Sequence, residues 1–152
     1  MFTLEDLLDR LDAARERTLV ALEALPDEAL TQPGVVGRWA IADLLSILTA
    51  WDAEVVTGLM QLTNGKPPER LLAALRNPDI YNAQRYQDAQ GRGLDAIFDD
   101  FQSSRLQLEE WLSGLSDRAL SEPRHYKALG GEPLGRLIAR ATPTTRPAIC
   151  RF

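Results

Sequence analysis

His125 is the chain's single histidine and Cys150 its single cysteine, and these two counts bound the chemistry on offer. A first-row metal centre gathers several imidazole, thiolate or carboxylate ligands. One histidine cannot supply an imidazole cluster, so no metal and no cofactor are expected. A nucleophilic serine or threonine needs a base beside it, and Ser46, Thr49, Ser103 and Ser104 have no histidine or lysine near them in sequence. His125 and Tyr126 are adjacent and form a possible acid/base pair, but they fall in a loop, where a histidine is ordinarily solvated. Cys150 has only Arg151 beside it to favour a thiolate. The acids Asp95, Asp99 and Asp100 read as the wet face of a helix. No catalytic residue is assigned.

These side chains sit in a strongly helical pattern. Thr3 and Asp6 make a Thr-x-x-Asp capping box, flanked by Phe2 and Leu7 at the staple positions. Leu4, Leu7, Leu8, Leu11, Ala14, Thr18, Leu22 and Leu25 then follow one face until Pro26. A second helix is predicted from Trp39 to Thr63, with Ile41, Leu44, Leu45, Leu48, Trp51, Val55, Leu59 and Leu62 at spacings of three and four. It ends at Asn64-Gly65, and Pro67-Pro68 bar its continuation. A third runs from Leu94 to Leu115 with the stripe Leu94, Ile97, Phe98, Phe101, Arg105, Leu108, Trp111, Leu112 and Leu115. Pro133 opens a fourth, carried by Leu134, Leu137, Ile138 and Ala141.

Residues 66–93 form a polar crossover between the second and third helices, with short helices expected at Leu71–Leu75 and Ile80–Ala89. An internal echo supports two αα units: Leu25-Pro-Asp-Glu-Ala-Leu-Thr-Gln-Pro33 returns as Leu115-Ser-Asp-Arg-Ala-Leu-Ser-Glu-Pro123. The expected fold is therefore all-α, a four-helix bundle over residues 1–141, with residues 142–152 an irregular C-terminal tail.

At 152 residues the chain is one domain long, enough to bury a core. Its charge is uneven. Residues 122–152 hold Glu122 and Glu132 against Arg124, Lys127, Arg136, Arg140, Arg146 and Arg151, a net of +4, which leaves −9 for the rest of a chain at −5. An acidic body argues against nucleic-acid binding, which rests on neutralising phosphates. No apolar run approaches the ~20 residues that cross a bilayer, and MFTLEDLLDR lacks the basic start of a signal peptide. A cytoplasmic location without membrane contact is expected.

The segment from Trp39 to Asp52 resembles the second helix of the DinB-like proteins, closest to the DfsB-type branch. Trp39, Asp43, Leu45, Leu48, Thr49, Ala50, Trp51 and Asp52 match or nearly match that helix, and Asp79-Ile-Tyr-Asn82 resembles an Asp-x-x-Asn segment in the crossover. The resemblance implies a bundle with a long crossover between helices two and three. In many members it also implies a three-histidine metal site, but here the second-helix histidine is replaced by Ile47 and no histidine follows Ala141. The DfsB-type branch implies a metal-free alternative, a bundle cavity that binds or modifies a small, reactive organic molecule. On that reading Ile47 and Trp51, one turn apart, line the cavity, and Tyr81, Asn82 and Tyr86 close over it. Asn82 would then touch ligand with little bearing on stability.

After Ala141 the resemblance fails, because Pro143 and Pro147 cannot continue a helix. A reading-frame shift near codon 142 and a divergent tail both account for this. Two further functions stay open: a metal- and thiol-dependent transferase, and a structural or interaction protein without ligand. A fourth helix of about nine residues leaves part of the longer helices uncovered, so a homodimer is expected, with Ile149 and Phe152 of the tail as an alternative lid.

Overall fold

The computed structural model describes residues 3–34 and 39–142. Phe2 of the expected staple, Cys150 and the tail from Pro143 lie outside the described residues. Among the described residues, eight α-helices follow in order: α1 (Leu4–Glu23), α2 (Asp27–Leu30), α3 (Ile41–Thr63), α4 (Glu69–Arg76), α5 (Pro78–Ala89), α6 (Leu94–Ser113), α7 (Asp117–Ser121) and α8 (Leu134–Ala141), with a 3₁₀ turn at Lys127–Leu129. Among the described residues there is no β-strand. The fold is an all-α bundle of α1, α3, α6 and α8, with α4 and α5 in the crossover. No described helix is long and apolar enough to cross a membrane.

Helix starts follow local chemistry. Thr3 Oγ1 accepts the Asp6 N–H at 3.1 Å, and Asp117 Oδ1 accepts the Leu4 N–H at 2.7 Å. The α6–α7 turn therefore caps α1 from a distant part of the chain. The expected start of the second helix at Trp39 moves to Ile41, because Asp43 Oδ2 reaches back to the Ala40 N–H at 2.9 Å and fixes the first turn there. The two echo segments hold more than turns. Each forms a short helix, α2 and α7, whose last leucine is buried, Leu30 in one case and Leu120 in the other.

The central helix is α3, packed against α2, α4, α5, α6 and α8. Its burial exceeds the single predicted stripe, since Ala42, Val56 and Gly58 are also buried. The crossover explains this. A Cβ on Gly58 would sit 3.0 Å from Leu71 Cδ2 and 3.2 Å from Pro68 Cβ, so α4 approaches α3 at a position with no side chain. The eight-residue α8 buries Leu134, Leu137, Ile138 and Ala141. Thr142 ends it with its backbone N–H and hydroxyl both donating to the Ile138 carbonyl. Among the described residues, the four exposed large apolar side chains, Val20, Met60, Ile80 and Leu106, fall on four different helices.

Candidate functional site

Three of the five residues selected from the sequence meet where α5 lies on α3. Trp51 Nε1 donates to Asn82 Oδ1 at 2.8 Å, and the Trp51 and Tyr81 rings pack with centroids 4.5 Å apart at 58°. An indole N–H only donates, so this contact also fixes the Asn82 amide orientation, oxygen toward Trp51. The Asn82 Nδ2 hydrogens have no protein partner among the described residues. Ile47, one turn before Trp51, is buried in the same apolar cluster as Leu134, Leu137 and Ile138. Tyr86 packs at the edge of the same apolar cluster. It stacks on Trp39 at 6.0 Å and 22° and lines a cavity of about 220 Å³ with Asp43 and Gln90. Of three cavities lined by described residues, Tyr81 lines one and Tyr86 two, while Ile47, Trp51 and Asn82 line none of these three.

Tyr81 also reaches a buried acid. Its hydroxyl lies 3.1 Å from Glu54 Oε2 and 3.2 Å from the Ala50 carbonyl oxygen, sharing one proton between them. Burial, then the Glu54 charge, push this phenol well above its ordinary range, so it remains a donor at any physiological pH. Glu54 Oε1 takes Arg70 Nε at 3.3 Å.

A second buried carboxylate, Asp52, entered the sequence analysis only as a match to the family helix, without the burial or the partners it has here. Asp52, 2% exposed, lies between two arginines. Arg105 donates from Nε to Oδ2 at 3.0 Å, and Arg15 donates from Nη2 to the same oxygen at 3.1 Å. Each guanidinium has a further backbone acceptor, Leu11 O for Arg105 and Phe101 O for Arg15. The Arg15 guanidinium carbon also lies 3.5 Å from the Phe101 ring centroid. Desolvation, then the neighbouring Arg105, lower Arg15 to about 10 against the opposing pull of Asp52, so it stays charged at neutral pH. The available signal was Arg105 itself, a charge in the middle of an otherwise apolar stripe. An unpaired cation is rarely buried, so a charge in that stripe implies a buried acid facing it.

The metal implied by the three-histidine resemblance does not fit. At the α3 position where that resemblance would put a histidine stands Ile47, and the α8 side chains in the same cluster are leucine, isoleucine and alanine. Among the described residues no three histidine, cysteine, aspartate or glutamate side chains group as metal ligands do. His125 lies edge-on to Tyr126 at 4.7 Å, with Nδ1 3.8 Å from Glu122 Oε2, on the surface after α7.

A family model described as the DinB superfamily matches residues 10–142. The chain belongs to the DinB superfamily. The match stops where the prolines of the tail begin. Among solved structures, this DinB-superfamily chain is similar to an uncharacterised protein from Escherichia coli UTI89, with a TM-score of 0.73 and 19% identity over 92% of this chain and 84% of that one. At that identity the likeness shows the fold alone. No curated protein matches the sequence.

Proposed function

We propose that this DinB-superfamily protein binds or modifies a small organic molecule without a metal, in the manner of the DfsB-type branch and in the cytoplasm. The ligand lies in the bundle against Ile47, Trp51 and Tyr81, with Asn82 and Tyr86 closing the site. The observation that supports this reading is the Trp51–Asn82 hydrogen bond. It joins an aromatic wall on α3 to an amide on α5 and leaves the amide hydrogens of Asn82 as donors for a ligand carbonyl. Large apolar side chains with a few fixed polar groups are what small-molecule sites use.

The Trp51 indole N–H proton gives a direct test. Its resonance is assigned by its loss in Trp51→Phe, and small uncharged aromatic compounds are then titrated in. Saturable shifts of that resonance, with no metal found in the purified protein, support the reading. Stoichiometric zinc or nickel, or an indole resonance that no compound moves, would leave the transferase or the ligand-free structural role instead.

We also propose a homodimer. The support is the length of α8, eight residues beside helices of twenty and more.

A further inference from the structure

A cavity of about 270 Å³ opens between α4 and α5, sharing only Tyr81 with the residues above. Its polar side carries Arg70, Arg85, Asn77 and Gln84, and its apolar side Ala73, Ala74 and Ile80. Two guanidiniums therefore border one small space. Each has one acid in reach, and neither pair is tight. Glu54 is spent on Arg70 through one oxygen and on the Tyr81 hydroxyl through the other. Asp88 holds Arg85 Nη2 at 3.1 Å, but its side chain is 69% exposed and three residues away on the same helix. Such a solvated pair is weak and easily exchanged.

Arg85 carries the decisive atom. Its Nε is buried and has no hydrogen-bond partner among the described residues, and buried donors are almost always paired. The guanidinium is held in place over the Tyr81 ring, 4.9 Å from its centroid. Tyr81 is in turn fixed by Trp51 and Glu54, so the cation is prepositioned with its Nε unsatisfied.

We propose that this cavity binds a small organic carboxylate with a short apolar body, its carboxylate on Arg85 and Arg70. The planar guanidinium fork matches a carboxylate, and an ionic acceptor on Nε makes the stronger, charge-assisted bond. Ala73, Ala74 and Ile80 take the hydrocarbon part. The volume falls just below the ~300–1,000 Å³ of drug-sized sites, so the ligand is about the size of benzoate or hexanoate.

The test is an NMR titration of the ¹⁵N-labelled full chain with benzoate and hexanoate, following the backbone amides of Ala73, Ala74 and Asn77. The neutral isosteres benzyl alcohol and hexanol, and inorganic phosphate, serve as comparison ligands. Benzoate is expected to saturate these shifts at least tenfold more tightly than benzyl alcohol or phosphate. Arg85→Gln is expected to weaken benzoate at least tenfold. Arg70→Gln weakens it severalfold, and because that side chain is 68% exposed its fold survives even where Arg85→Gln does not. Equal affinity for benzoate and benzyl alcohol, phosphate binding as tightly as benzoate, or unchanged benzoate binding in both variants overturns the proposal. The Trp51 indole resonance reports the bundle site separately, so either site can fail without the other.

Discussion

Asn82→Ala removes the acceptor of the Trp51 indole, and its effect follows from the surroundings of that bond. The Nε1–Oδ1 distance is 2.8 Å and Trp51 is 8% exposed, so water cannot readily replace the lost oxygen. Stranding a buried donor costs about 1–3 kcal/mol. Asn82 lies inside α5, where alanine is the better helix former by up to about 0.7 kcal/mol, and this offsets part of the loss. The net is roughly 0.5–2.5 kcal/mol, which in a domain of this size lowers Tm by about 2–4 °C per kcal/mol. The assay is urea unfolding of a double-mutant cycle with Trp51→Phe, which keeps an aromatic ring and deletes the donor. A coupling of about 1–2 kcal/mol is expected between neighbours that share a bond. Additivity within ~0.3 kcal/mol, with Asn82→Ala melting like the wild type, would refute the claim that this bond fastens the crossover to α3. It would also restore the simpler expectation that Asn82 meets ligand alone.

Asp52→Asn leaves two guanidiniums facing a neutral amide in the core, and removal of one partner from a buried ionic group costs about 3–5 kcal/mol. Calorimetry should show a Tm lower by about 6–20 °C, while the triple change Asp52→Leu, Arg15→Met, Arg105→Met should recover much of that loss. Glu109 is raised above its ordinary 4.5 by burial, then by its hydrogen bond with Asp12 and the Asp12 charge. The folded state therefore holds the Glu109 proton more tightly than the unfolded chain, and this stabilisation is full below 4.5 and lost as pH rises through the folded value. The wild type minus Glu109→Gln difference in Tm should accordingly fall with rising pH just above 4.5, and a flat difference would remove Glu109 from the network. Light scattering at micromolar concentration should give twice the 16.9 kDa chain mass; a monomer would leave α8 with all the cover it needs.

The main helices were legible because their apolar residues obey one period. Leu94 to Leu115 was predicted and α6 spans Leu94–Ser113, while the crossover helices were placed at 71–75 and 80–89 and lie at Glu69–Arg76 and Pro78–Ala89. Ends were legible where a terminator is chemical, as at Asn64-Gly65, where Gly65 takes φ 74°. What a one-dimensional period cannot report is how many faces of a helix are covered. α3 shows this, since Gly58 lies off the predicted stripe and is covered where α4 crosses it, and Val56, also off the stripe, is buried as well. Pairing across the bundle was also hidden. Arg15 follows a stripe residue on α1 and looks like ordinary surface charge until Asp52 of α3 faces it. Within the candidate site the sequence offered Trp51, Tyr81 and Asn82 as ligand contacts; the structure brings the three together through a bond, invisible in the sequence, that makes Asn82 a support for Trp51.

The two buried carboxylates of α3 explain why that wall has a fixed orientation. At 100° per residue Asp52 and Glu54 point about 200° apart around the helix axis. Asp52 faces Arg15 of α1 and Arg105 of α6, and Glu54 faces Arg70 of α4 and Tyr81 of α5. Apolar packing alone would tolerate a rotation of α3, because leucine, isoleucine and valine surround it on most sides and hydrophobic contact is non-directional. Charge does not tolerate it. Turning α3 by one residue carries both carboxylates ~100° from their partners, and each uncompensated buried charge costs about 3–5 kcal/mol, which approaches the whole stability of a typical domain. α3 is thereby pinned from opposite sides. Trp51, the residue before Asp52, has its direction set by the same constraint, so the charged pairs on the two sides of α3 decide which way the aromatic wall faces.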